Sequence, residues 1–193
     1  MKRLIILILV AALFLFGASW ALQGIGSRIA QAEHLRLMRT LLPGSETFTA
    51  EPYAGEDGSI RSVHKGETGF VIETVTQGYA DEIRMLVGVS NDGRVVGVLV
   101  QEAHETLGLG SHALTDHVFL SQFLNSSGSF AVATEGVDAF SGATGETTDG
   151  DCVYVDGITG ATVTSKAVVR CVNAAVAYVT GADTSSGATA WGG

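Results

Sequence analysis

Basic side chains are scarce: 11 Lys and Arg stand against 20 Asp and Glu, for a formal net charge of −9. A polyanion repels phosphate backbones, which speaks against nucleic-acid binding. Cysteine is rarer, with two residues, Cys152 and Cys171, and no CxxC spacing. That excludes a disulfide framework. The two thiols could meet in an oxidising compartment, but Cys171 falls on an apolar helical face and reads as packing. His104, His112 and His117 match no common helical ligand pair, so no metal site is expected. A nicotinamide-site signature is also missing, and the long apolar run near the N-terminus contains no ionisable residue that could line an ion path.

Apolar residues are plentiful, at 46% of the chain. Many sit in one uncharged run, Leu4 to Leu22, behind Lys2 and Arg3. At ~1.5 Å per helical residue this run reaches roughly across the hydrocarbon layer of a bilayer. Trp20, at its far end, suits an interfacial belt. The expected organisation is a cytoplasmic stub (residues 1–3) and a transmembrane anchor (4–22) that places the rest outside the cytoplasm. A cleaved export signal, with Ser19-Trp20-Ala21 as its processing site, is the alternative. Both export the bulk of the chain.

Beyond the run, Ile29, Leu35, Met38, Leu41 and Leu42 recur at helical spacing until Pro43-Gly44 stops them, so residues 23–46 are read as a juxtamembrane helix and connector. Residues 47–66 suggest loops around one or two weak strands. GFVIETVT from Gly69, EIRMLVGV from Glu82 and RVVGVLVQE from Arg94 are β-branched runs of strand length. Asn91-Asp92-Gly93 supplies the positive φ angles of a tight hairpin between the last two. HETLGLGSHALTDH, from His104, reads as a loop, after which Thr115-Asp116 caps a short helix through Val118, Phe119 and Phe123. SFAVAT and Val153–Val155 are further strand candidates. From Ser165 to Val179, Val168, Val172, Ala175, Val176 and Val179 line one helical face, with Lys166, Arg170 and Asn173 opposite. The expected class is α+β, a twisted, largely antiparallel sheet packed with helices, in a domain spanning 47–180. The tail, 181–193, is too poor in hydrophobics to order itself.

One pattern occurs three times: DAFSGAT, DGITGAT and DTSSGAT, ending at Thr144, Thr162 and Thr189. Only the middle copy follows a strand and opens an amphipathic helix. A helix N-terminus offers unpaired backbone N–H groups and a partial positive charge, so it can hold a phosphate without a basic side chain. Gly160 and Ala161 leave the backbone uncrowded, and Thr164 and Ser165 can cap the helix or donate to the phosphate. At Thr144 the following GETTDGD would repel an anion, and Thr189 lies in the tail.

DGITGATVTSKAVV resembles the flavin-attachment sequence of the FMN-binding domain family. That family is shared by the G subunit of the Rnf ion-translocating electron-transport complex and the C subunit of sodium-pumping NADH:quinone reductase. The resemblance implies an FMN phosphate esterified to Thr162, one per chain, with Asp156, Thr159, Gly160 and Ala161 in the signal read by a flavin transferase that uses FAD. QEAHETLGLGS, residues 101–111, is similar to the family's loop beside the flavin, which would bring His104, Glu105, Thr106, Gly108, Leu109 and Gly110 to the cofactor. Leu107 departs from the family, where proline is usual. LLPGSETF matches the segment after the membrane helix, so the likeness covers nearly the whole chain, and length and anchor look most like the Rnf G subunit.

The implied role is an electron carrier without independent turnover. It would be one station between ferredoxin and NAD in the inner membrane, where neighbouring membrane subunits move sodium or protons. A second flavin at Thr144 is the disfavoured variant. The rival readings are a subunit of a sodium-pumping quinone reductase, a free-standing surface flavoprotein and a cofactor-free surface binding module.

Overall fold

The computed structural model describes residues 30–55, 57–103, 109–133 and 152–181. The run 4–22, the loop residues His104 to Gly108, Thr144 and Thr189 lie outside them. Among the described residues no helix is long and apolar enough to cross a membrane. The chain divides into two compact units, Met1–Leu37 and Met38–Gly193. Helix α1 covers residues 30–41.

Within the second unit, five strands form one antiparallel sheet in sequence order: β1 (Thr49–Glu51), β2 (Ile60–Lys65), β3 (Gly69–Gln77), β4 (Glu82–Ser90) and β5 (Val95–Ala103). The three long strands are those expected from their β-branched runs, and the weak region yields β1 and β2. The hairpin turn follows the sequence with one difference. Of Asn91, Asp92 and Gly93, only Gly93 takes a positive φ, +81°. Gly93 N–H donates to Ser90 O at 2.9 Å and Ser90 N–H to Arg94 O at 2.8 Å. One left-handed residue closes a three-residue loop, whereas a two-residue loop needs special angles earlier.

The region read as a loop before Thr115 contains helix α2 (Leu109–Thr115). Its helical form comes from tertiary packing: Leu114 is buried in the core, and the helix packs against the long C-terminal helix. Asp116 then caps α3 (His117–Ser121) as expected, its Oδ1 accepting from Val118 N–H at 2.8 Å and Phe119 N–H at 3.2 Å. The last strands, β6 (Ser129–Ala133) and β7 (Cys152–Asp156), pair in parallel as a separate two-stranded sheet, so the antiparallel expectation holds for the main sheet alone.

Helix α4 (Thr162–Thr180) begins three residues earlier than the apolar stripe suggested. Its Val168, Val172, Ala175 and Val176 join Ile72, Ile83, Met85 and Val87 of the sheet in one core. Phe119, Phe123 and Phe130 extend that core beneath the small sheet as successive edge-on pairs, with centroids 5.6 and 5.2 Å apart. The polar side of α4 is only partly solvated. Lys166 is exposed, but Arg170 donates to Gln77 O and Asn173 bonds the backbone of Phe130. On the opposite face of the main sheet, the paired Gly88 and Gly97 leave a notch that the Leu41 carbonyl occupies.

Candidate functional site

The middle tetrad sits at the joint between the small sheet and the long helix. β7 ends at Asp156, five residues cross to the helix, and Thr162 opens α4. Between them, Ala161 N–H donates to Ile158 O at 2.9 Å, closing a turn through Thr159 and Gly160. Gly160 takes φ +79°, the left-handed angle demanded of the third turn residue in this geometry. A residue with a Cβ would be strained there.

Ile158 N–H donates to the Ser165 hydroxyl at 3.1 Å, which ties the turn to the first coil of the helix. Thr164 and Ser165 are both buried. The N-cap position is Ala161, and no side chain caps the helix. The expectation that Thr164 or Ser165 caps α4 is therefore corrected: Ser165 lies inside the first turn, and its hydroxyl reaches backwards to the loop. The first intrahelical bond runs from Ser165 N–H to Ala161 O, so the amides before Ser165 stand outside the helical ladder.

Thr162 is exposed, as are Thr159, Gly160 and Asp156, while Ala161 is buried. A cavity of about 290 Å³ opens beside the turn, lined by Val132 and Ala133 of β6, the loop from Gly157 to Gly160, and Thr162. Gly157 lets the loop pack closely on β6 in the cavity wall: a Cβ there would stand 2.6 Å from Val132 Cγ1. Sequence reasoning missed Gly157, Val132 and Ala133. Gly157 lay within the quoted motif but carried no reactive atom, and the strand residues line the cavity only because β6 pairs with β7.

The residues expected beside a flavin fare differently. His104, Glu105, Thr106 and Gly108 lie outside the described residues, as does Thr144. Leu109 and Gly110 open α2, which packs against α4. Cys152 and Cys171 are not joined in a disulfide. Cys171 is buried within α4, as its apolar face suggested, and burial pushes its thiol up to about 11, an effect the Thr74 hydroxyl partly offsets.

Residues 78–177 match the FMN-binding domain family. The chain belongs to that family. FMN is the cofactor that membership assigns to it. The chain is 36% identical over 109 residues to the G subunit of the Na(+)-translocating ferredoxin:NAD(+) oxidoreductase complex of Acetobacterium woodii, covering 56% of this chain and 47% of that protein. It is 32% identical over 165 residues to the G subunit of the ion-translocating oxidoreductase complex of Methanosarcina acetivorans, covering 79% of this chain and 78% of that protein. The chain thus spans about half the length of the first of these relatives and over three quarters of the second. Among solved structures it resembles the C subunit of Na(+)-translocating NADH-quinone reductase from Parabacteroides distasonis, at 22% identity and a TM-score of 0.46, over 61% of this chain and 60% of that one.

The residues present fit the phosphate end of such a cofactor. A cavity of about 290 Å³ is at the lower end for a small-molecule site and admits a phosphate with part of a ribityl chain. The α4 N-terminus beside it has no side-chain cap, and its partial positive charge favours an anion.

Proposed function

We propose that this chain is an electron-transfer subunit carrying FMN bonded through its phosphate to Thr162, within an ion-translocating ferredoxin:NAD oxidoreductase complex of the inner membrane. One observation carries the reading: Thr162 is an exposed hydroxyl that both opens the uncapped N-terminus of α4 and lines the adjoining cavity. The two G-subunit relatives support the choice of complex, and the run 4–22 supports a single-pass anchor that holds the domain outside the cytoplasm.

A threonine hydroxyl is a weak nucleophile at neutral pH, so a flavin transferase must activate it. In the attachment step the Thr162 Oγ–P bond forms on the FMN phosphorus of FAD. The pyrophosphate P–O bond breaks, AMP leaves with its electron pair, and the hydroxyl proton passes to a base of the transferase. Thr159, Gly160 and Ala161 keep the approach to Thr162 uncrowded, and the Asp156 carboxylate stands in solvent where a transferase can read it. The first-turn amides of α4 would hold the phosphodiester. When bound, the isoalloxazine supplies reversible electron storage, and the protein tunes its potential by burial and hydrogen bonding. A covalent tether replaces affinity in a compartment from which free FMN would diffuse away. The chain is a carrier; coupling to sodium or protons belongs to its membrane partners.

The test is maturation of the full chain with a flavin transferase and FAD. The denatured wild-type band is expected to fluoresce under ultraviolet light with the mass of one added FMN, and Thr162→Val to remain dark at the unmodified mass. A wild-type chain that stays bare, or a Thr162→Val chain that still gains FMN, overturns the assignment.

A further inference from the structure

Residues of a parallel strand direct their N–H and C=O to one side, so each strand of an isolated parallel pair leaves backbone groups on its outer edge without a strand neighbour. Here two side-chain amides take the neighbour's place. On β6, Asn173 Oδ1 accepts from Phe130 N–H at 2.8 Å while its Nδ2 donates to Phe130 O at 2.9 Å. On β7, Gln122 Oε1 accepts from Asp156 N–H at 2.7 Å while its Nε2 donates to Asp156 O at 3.2 Å. The two clamps are chemically alike, yet only the second grips the motif.

Asp156 is the last residue of β7 and the head of the attachment sequence. Holding both its N–H and its C=O fixes the peptide planes on either side, and so the direction in which the chain leaves the strand toward Thr162. The clamp acts on backbone alone, and the Asp156 carboxylate stays exposed. Gln122 is itself well placed to hold. Its backbone N–H donates to Phe119 O at 3.2 Å, and the next residue, Phe123, is fully buried in the aromatic core.

We propose that Gln122, 34 residues from Asp156 in sequence, is a positioning residue for flavin transfer to Thr162, presenting the attachment loop in the form the transferase accepts. This rests on the assignment of Thr162 above. Without the clamp the loop samples other exits from β7. The transferase then meets the competent form in only a fraction of molecules, and its apparent affinity falls by that fraction.

The experiment compares full-length wild type with Gln122→Met, which keeps side-chain length but makes neither bond, and Gln122→Glu, which keeps the acceptor and loses the donor. Asn173→Leu removes the matching clamp from β6. Initial rates of FMN incorporation are read by intact mass at varied acceptor concentration with saturating FAD, alongside hydrogen exchange of the Asp156 amide. Gln122→Met is expected to raise the KM for the acceptor chain about tenfold with kcat within about twofold, and to speed Asp156 exchange by at least about tenfold. Gln122→Glu should fall between, and it supplies the same comparison should Gln122→Met not fold. Asn173→Leu should keep the wild-type KM. A wild-type KM in both Gln122 variants, unchanged Asp156 exchange, or an equal rise in KM for Asn173→Leu overturns the proposal. A wild-type chain that accepts no flavin instead sinks the Thr162 assignment itself.

Discussion

The Ser165 hydroxyl accepts the Ile158 amide at 3.1 Å, linking the first coil of α4 back across the turn that precedes Thr162. The bond is local in space and specific in consequence, because Ser165 is buried and cannot turn to solvent for another partner. Ser165→Ala leaves the Ile158 N–H without its acceptor inside the loop. Such a loss costs ~1–2 kcal/mol, to be read as a lower denaturation midpoint with unchanged slope. Thr162→Val changes an exposed position and should stay within ~0.5 kcal/mol of wild type in the same assay.

Gly157 packs directly against Val132 in the cavity wall, and an added Cβ would lie 2.6 Å from Val132 Cγ1. Valine is stiff about χ1, so the strand or the loop must yield. Gly157→Ala is expected to destabilise the fold by ~1–3 kcal/mol and to slow flavin incorporation by narrowing the cavity. The double variant Gly157→Ala with Val132→Ala removes the clashing methyl and should recover much of the loss. Thermal melts of the two single variants and the double would show this as strong non-additivity.

Sequence reading recovered the parts of the fold that rest on short-range pattern. β3, β4 and β5 announce themselves through β-branched runs, α4 through the stripe of Val168, Val172 and Val176, and the α3 cap through Asp116. The parallel pairing of β6 and β7 was not legible, because a strand records its period and not its partner. α2 was taken for a loop because Gly108 and Gly110 lower helical propensity, an effect that burial of Leu114 outweighs. At the site, the motif pointed to Thr162, Gly160 and Asp156 as neighbours at a strand-to-helix joint, and the structure brings them together there. Ser165 was noticed for its hydroxyl as a cap, which the structure does not show, since capping rules do not anticipate a bond reaching backwards into the loop. Gln122 carried no signal at all: an amide that replaces a strand neighbour is visible only once the strand has an edge.

The notch that the Leu41 carbonyl occupies makes a second steric prediction. A Cβ on Gly88 would approach the Leu41 carbonyl oxygen at 2.5 Å, and backbone cannot rotate away as a side chain can. Gly88→Ala should therefore cost at least ~2 kcal/mol and lower the melting temperature by several degrees. Gly58, with open space around it, serves as the control, and Gly58→Ala should lie within ~1 kcal/mol of wild type.

The Cys171 thiol, buried against Thr74 and raised to about 11, couples stability to alkaline pH. The sign follows from proton counting. Between the ordinary value of 9.0 and about 11 the unfolded chain has lost this proton while the folded chain still holds it, so unfolding releases a proton and stability falls as pH rises through that window. The full separation corresponds to ~3 kcal/mol, an upper bound for one group. Tyr178 is raised as well, by burial and by its bond to Glu51, and contributes with the same sign. Comparison with Cys171→Ala isolates the thiol: the variant starts lower in stability but should lose less of it from pH 8.5 to 11 in urea titrations. The same burial predicts that at pH 8 a thiol reagent labels half-buried Cys152 in the native protein and reaches Cys171 only on unfolding. Parallel slopes in the two proteins, or equal labelling of both thiols in the native state, would contradict the buried placement of Cys171 in α4.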